Sequence, residues 1–167
     1  DHFRRELEAI HFAIWLCAGR SEQLREPGSY FVRRLGPASI VVVRDQSGSI
    51  AAFHNVCRHR GTLLRQGDEG RFQGRIQCAY HAWTYGLDGR LLSAPHMDKV
   101  SGFREADYPL LGVATATWDG HVFINLSPNP GPFEEQLAGL DQKFRPWRME
   151  ELALVERKVY PVKANWK

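Results

Sequence analysis

Two short segments of the 167-residue chain each combine a cysteine with a histidine. The first is Cys57-Arg58-His59, and the second, after eighteen intervening residues, is Cys78-Ala79-Tyr80-His81. Each segment therefore offers one thiolate and one imidazole, which are both typical ligands of transition metals. Because each segment lies at the end of a predicted strand, we expect two adjacent loops to bring the four side chains together. The pattern predicts a metal centre with two sulfur and two nitrogen ligands.

The alternating order of these ligands favours a binuclear iron–sulfide cluster over a single zinc ion. A Rieske centre has two thiolates on one iron and two imidazoles on the other, with bridging sulfides. Two ferric ions, two sulfides and two thiolates sum to zero charge, so this cluster accepts an electron more readily than an all-thiolate one, within roughly −150 to +300 mV. Zinc fingers space their cysteines by two to four residues and then add their histidines. A structural zinc site and a chance grouping of cysteines and histidines remain the alternatives.

Composition indicates a single globular domain with no obvious charged partner. Hydrophobic residues make up 43% and charged residues 25% of the chain, which is ordinary for a protein with a buried core. The formal charge of +3 is small and no basic run occurs, so we expect neither a nucleic acid nor a membrane as partner. Two of the three cysteines stand beside histidines, which favours a metal site in a reducing compartment. The expected location is cytoplasmic, since the N-terminus also lacks the pattern of a signal peptide.

The elements that must position the loops are predicted to be mostly short strands. Apolar residues recur at helical spacing from Phe3 to Cys17, which predicts an amphipathic helix of about four turns with Cys17 buried. Turn residues then separate β-rich runs, and a Pro-rich stretch precedes a short helix from Phe133 to Leu140 and a strand at 152–159. The predicted strands of the central part are 30–35, 40–44, 50–56, 75–79, 83–85, 113–118 and 121–126.

These elements predict a mainly β fold, a small antiparallel β sandwich or barrel. The two candidate ligand loops would make it a Rieske-type fold with a two-loop cluster-binding subdomain, flanked by an N-terminal helix and a short C-terminal helix and strand. We divide the chain into an N-terminal helical segment (1–26), a candidate Rieske 2Fe–2S domain (27–127), and a C-terminal linker, helix and strand (128–167).

The residues around the candidate ligands resemble those of one family. The runs Cys57-Arg58-His59-Arg60-Gly61 and Cys78-Ala79-Tyr80-His81-Ala82-Trp83-Thr84-Tyr85 resemble the N-terminal domain of Rieske non-haem iron oxygenase α subunits, the ring-hydroxylating oxygenases. The ending at 160–167 resembles the strand and join that lead into that family's catalytic domain. The resemblance implies a 2Fe–2S cluster held by Cys57, His59, Cys78 and His81.

The resemblance also draws neighbouring residues into the expected cofactor site. We expect Tyr80 and Trp83 to cover the cluster and exclude water, and Arg60 either to pair with a carboxylate near it or to be solvated at the surface. In this family an exposed histidine reaches a carboxylate of the adjoining subunit's catalytic domain, a role that the resemblance implies for His81. Respiratory-chain Rieske proteins have a serine donor to the cluster sulfurs where Trp83 stands here. With fewer hydrogen-bond donors to the cluster sulfurs, we expect this cluster to have a reduction potential in the lower half of the Rieske range.

The family's chemistry implies more than these residues supply. It needs a mononuclear Fe(II) held by two histidines and a carboxylate, and no such set is evident in this sequence. We therefore expect an electron-transfer domain of a mono- or dioxygenase α subunit. It would take single electrons from a reductase or ferredoxin and pass them to a catalytic domain of the same or an adjoining subunit, in a homotrimer that hydroxylates a small organic substrate with O2.

The main alternative is a free-standing Rieske ferredoxin, which would carry electrons without any catalytic domain. Such carriers are usually shorter and begin directly with the β domain. The predicted N-terminal helix and the tail from Phe133 onward therefore count against this alternative. The substrate of an oxygenase stays open at this point, with aromatic acids, aromatic hydrocarbons and betaines as candidates.

Overall fold

The fold is built from short strands and a few helical turns. The computed structural model describes residues 2–164 of the chain. The strands are β1 (Leu16–Arg20), β2 (Ser29–Leu35), β3 (Ala38–Arg44), β4 (Ile50–His54), β5 (Glu69–Arg71), β6 (Arg75–Gln77), β7 (Thr84–Gly86), β8 (Leu91–Ser93), β9 (Gly112–Trp118) and β10 (His121–Asn125). The helices are α1 (His2–Glu6), a π-helical turn (Leu7–His11), α2 (Phe133–Gln136), α3 (Leu140–Phe144), and 3-10 turns at Ser21–Leu24, Glu105–Asp107, Arg145–Trp147 and Met149–Glu151. Among residues 2–164 no helix has the length and apolar character needed to cross a bilayer.

The strands form two antiparallel sheets. The order in the larger sheet is β1-β10-β9-β4-β3-β2-β5, and in the smaller sheet it is β6-β7-β8. Two hairpin turns join strands of the larger sheet. Between β3 and β4, the carboxylate of Asp45 accepts hydrogen bonds from the N–H groups of Ser47 and Ser49. Between β9 and β10, Asp119 and Gly120 both have positive φ, as a tight turn requires. The prediction of a mainly antiparallel β fold is confirmed.

The central strand β3 is buried on both faces and feeds two separate cores. Every side chain from Ile40 to Val43 is fully buried, and successive side chains of a strand point to opposite faces. The even-numbered residues pack with Leu24 and others in one core. The odd-numbered residues pack with side chains of the smaller sheet, and this second core also contains Cys57 and Cys78. Burial of each of these β3 side chains contributes roughly 1.5–3 kcal/mol, so the two candidate ligand cysteines belong to a strongly stabilised region.

The long N-terminal helix predicted from Phe3 to Cys17 is wrong. The helical turns stop well short of Cys17, and β1 pairs with β10 at the edge of the larger sheet. Trp15 ties this segment to the C-terminal part, because its Nε1 donates to the carbonyl of Gly131 (2.9 Å) and its backbone exchanges two hydrogen bonds with the side chain of Gln136. Pairing with an open sheet edge outweighs the local helical pattern. As a consequence Cys17 is exposed, not buried as predicted.

The C-terminal part agrees with its prediction only for the helix. The short helix predicted from Phe133 is present as α2, and α3 follows after Gly139, whose φ of +79° interrupts the helix. The strand predicted at 152–159 is wrong, because residues 152–163 have no regular secondary structure and are exposed. A strand needs a neighbour to bond its backbone groups, and the described residues offer none there. Residues 165–167, at the end of the predicted join, lie outside the described residues.

Candidate metal centre

Two loops of the same construction carry the candidate ligands. In the first loop the N–H of Cys57 donates to the carbonyl of Thr62 (2.8 Å), and the carbonyl of Cys57 accepts a hydrogen bond from the N–H of Gly61 (3.0 Å). The same offsets recur in the second loop: the N–H of Cys78 donates to the carbonyl five residues later (2.9 Å), and its carbonyl accepts from the N–H four residues later (3.1 Å). Each cysteine is therefore held at the same point of an equivalent turn.

Both loops turn at a residue with positive φ, and only one of these residues is glycine. The φ angle is +71° at Gly61 and +58° at Ala82. The left-handed conformation costs a residue with a Cβ roughly 1–2 kcal/mol, whereas glycine adopts it freely. We expect Ala82→Gly to raise the free energy of unfolding by about 1 kcal/mol, because relief of this strain exceeds the entropy that glycine adds to the unfolded chain. The urea midpoint of unfolding measures the change.

Ala79→Gly is the matched control for this prediction. Ala79 is exposed in the same loop and does not have a positive φ. Its replacement therefore adds only unfolded-state entropy, and we expect it to lower stability by up to about 1 kcal/mol. Equal shifts of the urea midpoint in the two variants would contradict the assignment of strain to Ala82.

Both candidate thiols are buried in the core between the two sheets. The exposed fractions are 3% for Cys57 and 2% for Cys78. Burial raises the pKa of the Cys57 thiol, the hydrogen bond to Tyr85 opposes this shift, and the adjacent Cys78 thiol raises the pKa further. The two sulfur atoms are thus close enough to influence each other. A metal that binds at Cys57 must displace its proton.

The two candidate imidazoles lie next to each other and one has an unused buried nitrogen. The ring centroids of His59 and His81 are 4.7 Å apart, with an angle of 77° between the ring planes. Burial lowers the pKa of His59, and the charges of His81 and Arg60 lower it further, so the ring is neutral near pH 7. Nδ1 of His59 is buried and has no hydrogen-bond partner among residues 2–164. A buried nitrogen without a hydrogen-bond partner costs folding free energy. A neutral imidazole is a common metal ligand.

Trp83 packs against the His59 ring. The two rings are nearly parallel, with centroids 4.9 Å apart and an interplanar angle of 11°. Trp83 is 2% exposed, and its ring also meets Phe103 and Tyr108 edge-on, each at 5.8 Å. These contacts hold Trp83 in one orientation and keep solvent from one face of His59.

Tyr80 and Arg60 lie at the surface. The centroid of the Tyr80 ring lies 3.7 Å from that of the His81 ring, with the two planes tilted by 36°, and Tyr80 is 60% exposed. Tyr80 thus covers one side of the His81 ring, and the exclusion of water from a cluster by Tyr80 stays a prediction. Arg60 is exposed and forms no ion pair with a carboxylate within the described residues. Its side chain extends into solvent, so the expected carboxylate partner is not found there.

Tyr85 contacts a candidate ligand although it was not among the expected site residues. Its hydroxyl lies 3.3 Å from Sγ of Cys57 and accepts a hydrogen bond from the N–H of Arg58 (3.0 Å). Burial raises the pKa of the Tyr85 phenol and the contact with Cys57 acts in the same direction, so the phenol keeps its proton and can donate it to sulfur. The sequence held one signal of this role. Tyr85 follows Trp83 by two residues, and alternate residues of a strand share a face.

A mononuclear zinc site and a binuclear cluster place different requirements on the four side chains. A structural zinc ion needs four ligands converging on one point. In residues 2–164 no three His, Cys, Asp or Glu side chains converge closely enough to hold one metal ion. A binuclear cluster requires only two protein ligands on each iron. Two adjacent thiols and two adjacent imidazoles fit this second requirement.

Comparison with known families agrees with this geometry. Residues 14–104, more than half of the chain, match the family model of the Rieske 2Fe-2S domain. The chain belongs to this family of iron–sulfur domains.

The relatives that match nearly the whole of this chain are oxygenase subunits. The chain is 35% identical to the carnitine monooxygenase oxygenase subunit of Acinetobacter baumannii, over 99% of this chain and 45% of the relative. It is 34% identical to the glycine betaine monooxygenase oxygenase subunit of Pseudomonas aeruginosa, over 99% of this chain and 38% of the relative. A crystal structure of the quaternary ammonium Rieske monooxygenase CntA with its substrate gamma-butyrobetaine matches with a TM-score of 0.91 and 33% identity, over 98% of this chain and 47% of that one. The chain thus spans less than half the length of these relatives and corresponds to their Rieske part.

Proposed function

We propose that Cys57, His59, Cys78 and His81 bind a Rieske-type 2Fe–2S cluster and that the domain transfers single electrons. The observation that carries this proposal is the buried Nδ1 of His59, which lacks a partner among residues 2–164 next to a second imidazole. When bound, the cluster supplies a centre that takes up and releases one electron at a time. The two buried cysteines would ligate one iron and the two histidines the other.

The chain's own residues prepare the site for this role. Trp83 orients the His59 ring by stacking on it, and the Tyr85 hydroxyl is positioned to donate a hydrogen bond to the Cys57 sulfur. A donor to a ligand sulfur stabilises the more negative, reduced state. His81, half-buried under the exposed Tyr80 ring, lies at the surface and is the ligand from which an electron would leave towards an acceptor.

For the whole protein we propose a Rieske non-haem iron monooxygenase that oxidises a quaternary ammonium compound. Support comes from the carnitine and glycine betaine monooxygenase subunits, which match over 99% of this chain, including its tail. That coverage also disfavours a free-standing ferredoxin. In this proposal residues 128–167 lead to a domain that holds the mononuclear Fe(II), electrons arrive from a reductase or ferredoxin, and the subunits form a homotrimer. A cytoplasmic location follows from the unpaired, metal-binding use of the cysteines.

Iron analysis and electron paramagnetic resonance test the cluster. We expect the purified chain to contain two iron and two acid-labile sulfide atoms, as a 2Fe–2S cluster requires. Anaerobic reduction should produce a rhombic signal that integrates to about one spin per chain. A colourless protein with a single zinc ion would contradict the proposal.

A second experiment tests the substrate class on the full-length protein with its reductase. Product formation from carnitine, glycine betaine and gamma-butyrobetaine is compared with that from naphthalene. We expect oxidation of at least one quaternary ammonium compound and none of naphthalene. The isolated 167-residue chain serves as the control and should accept an electron but form no product.

A further inference from the structure

Arg65 connects the bases of the two ligand loops. Its Nη1 donates hydrogen bonds to the carbonyl of Leu64 (2.7 Å) and to the carbonyl of Gln77 (3.3 Å). The Leu64 carbonyl lies at the end of the first loop. The Gln77 carbonyl belongs to the peptide bond that enters Cys78. A single guanidinium therefore bridges the end of one loop and the beginning of the other.

The backbone of Arg65 is itself tied to the residue that begins the first loop. The buried Asn55 accepts a hydrogen bond from the N–H of Arg65 through Oδ1 (2.9 Å) and donates one to its carbonyl through Nδ2 (2.6 Å). Nδ2 also donates to the hydroxyl of Ser39 on β3 (3.1 Å). Asn55 precedes Cys57 by two residues. This pair of bonds closes the first loop at its base and fixes the starting point of the Arg65 side chain.

The guanidinium is held over a buried aromatic ring. Its central carbon lies 4.4 Å from the ring centroid of Phe72 and 6.0 Å from that of Tyr30. These two rings pack on each other with centroids 4.4 Å apart. Within the described residues Arg65 forms no ion pair with a carboxylate. The stacking therefore fixes an uncompensated positive charge beside the second loop.

No disulfide bond joins the two loops, since all three cysteines of the chain are free. We propose that Arg65 is a positioning residue that joins the two ligand loops and stabilises the reduced cluster by its charge. The inference rests on the proposed function, because it requires a cluster in these loops. An electron makes the neutral cluster negative, and a nearby positive charge in a partly buried setting favours that state. The two hydrogen bonds oppose separation of the loops, and such a separation would free the iron that the loops hold together.

Two variants of Arg65 separate the charge from the bridge. Arg65→Gln removes the charge, and we expect the equilibrium constant for one-electron reduction to fall about tenfold, which is about 59 mV for a one-electron couple. Loss of visible absorbance in the presence of an iron chelator should be about tenfold faster. Arg65→Lys keeps the charge but lacks the planar fork. We expect its reduction constant to stay within about twofold of wild type while the cluster is still lost several-fold faster.

Arg75→Gln is the matched control. Arg75 is an exposed arginine close in sequence to Cys78, and within the described residues it has no hydrogen bond to the other loop. We expect its cluster lifetime to equal that of wild type. The inference is overturned if Arg65→Gln leaves both quantities within twofold of wild type, or if Arg75→Gln shortens the cluster lifetime equally. An Arg65→Gln chain that keeps the wild-type circular dichroism spectrum but holds no iron is the extreme form of the expected result. A wild-type chain without a cluster would instead refute the proposed function.

Discussion

Replacing Cys57 with serine is expected to abolish the iron–sulfur centre. Serine offers a harder, more weakly acidic oxygen in place of a thiolate, and iron–sulfide clusters require soft sulfur ligands. Without Cys57, the iron that the two cysteines would bind keeps only one cysteine ligand, that from Cys78. We expect bound iron to fall below roughly a tenth of the wild-type amount, together with the visible absorbance and the paramagnetic signal of the reduced state.

The third cysteine of the chain is the control for this substitution. Cys17 lies on β1, at the opposite edge of the larger sheet from β5, and is exposed. Cys17→Ser makes the same chemical change outside the two loops, so iron content and spectra should be unchanged. A similar loss of iron in both variants would mean that Cys57 is not a specific ligand.

Trp83→Ala is expected to cause the largest loss of stability among substitutions that spare the ligands. The side chain is 2% exposed and packs on His59, Phe103 and Tyr108. Truncation of a buried tryptophan to alanine costs about 3–5 kcal/mol, since it leaves a cavity. With a urea m-value of about 2 kcal/mol per molar, the unfolding midpoint should fall by roughly 1.5–2.5 M. The cluster should also be lost faster, because one face of the His59 ring becomes open to water.

Two further variants show whether the effect comes from packing at this site. Trp147 is 69% exposed, and Trp147→Ala should change stability by less than about 0.5 kcal/mol. Trp83→Phe keeps an aromatic ring against His59 and should retain more than about half of the stability lost in the alanine variant. If Trp83→Ala and Trp147→Ala had similar midpoints, the structural role of Trp83 would be disproved.

Most strands were predictable from their apolar residues, but the edge strands β1, β5 and β8 were not. β3 is a run of β-branched residues bounded by turns, so its strand character is visible in the sequence alone. β5 and β8 have only three residues each and lack any pattern of their own. They exist because a neighbouring strand supplies partners for their backbone groups. For the same reason, the segment around Cys17 forms strand β1 by pairing with β10, although its sequence pattern is helical.

The candidate ligands were found by residue type and spacing, whereas their supporting residues were not. Cys57 and Cys78 stand out in the sequence because few residues have their chemistry. Tyr85 and Arg65 are ordinary residues whose importance depends on what they touch. The Tyr85 hydroxyl reaches a sulfur 28 positions away along the chain. The Arg65 guanidinium reaches a carbonyl 12 positions away.

The amino-acid sequence by itself determined the candidate ligand set, the mainly β character and the likeness to Rieske oxygenase domains. These depend on local quantities, namely side-chain chemistry, the spacing of motifs and the alternation of apolar residues. Only the tertiary structure decided that the N-terminal segment forms an edge strand, that Nδ1 of His59 is buried without a partner among residues 2–164, and that Arg65 bridges the two loops. These features arise from contacts between residues far apart in the chain, and the energy of such contacts is set by the packed fold.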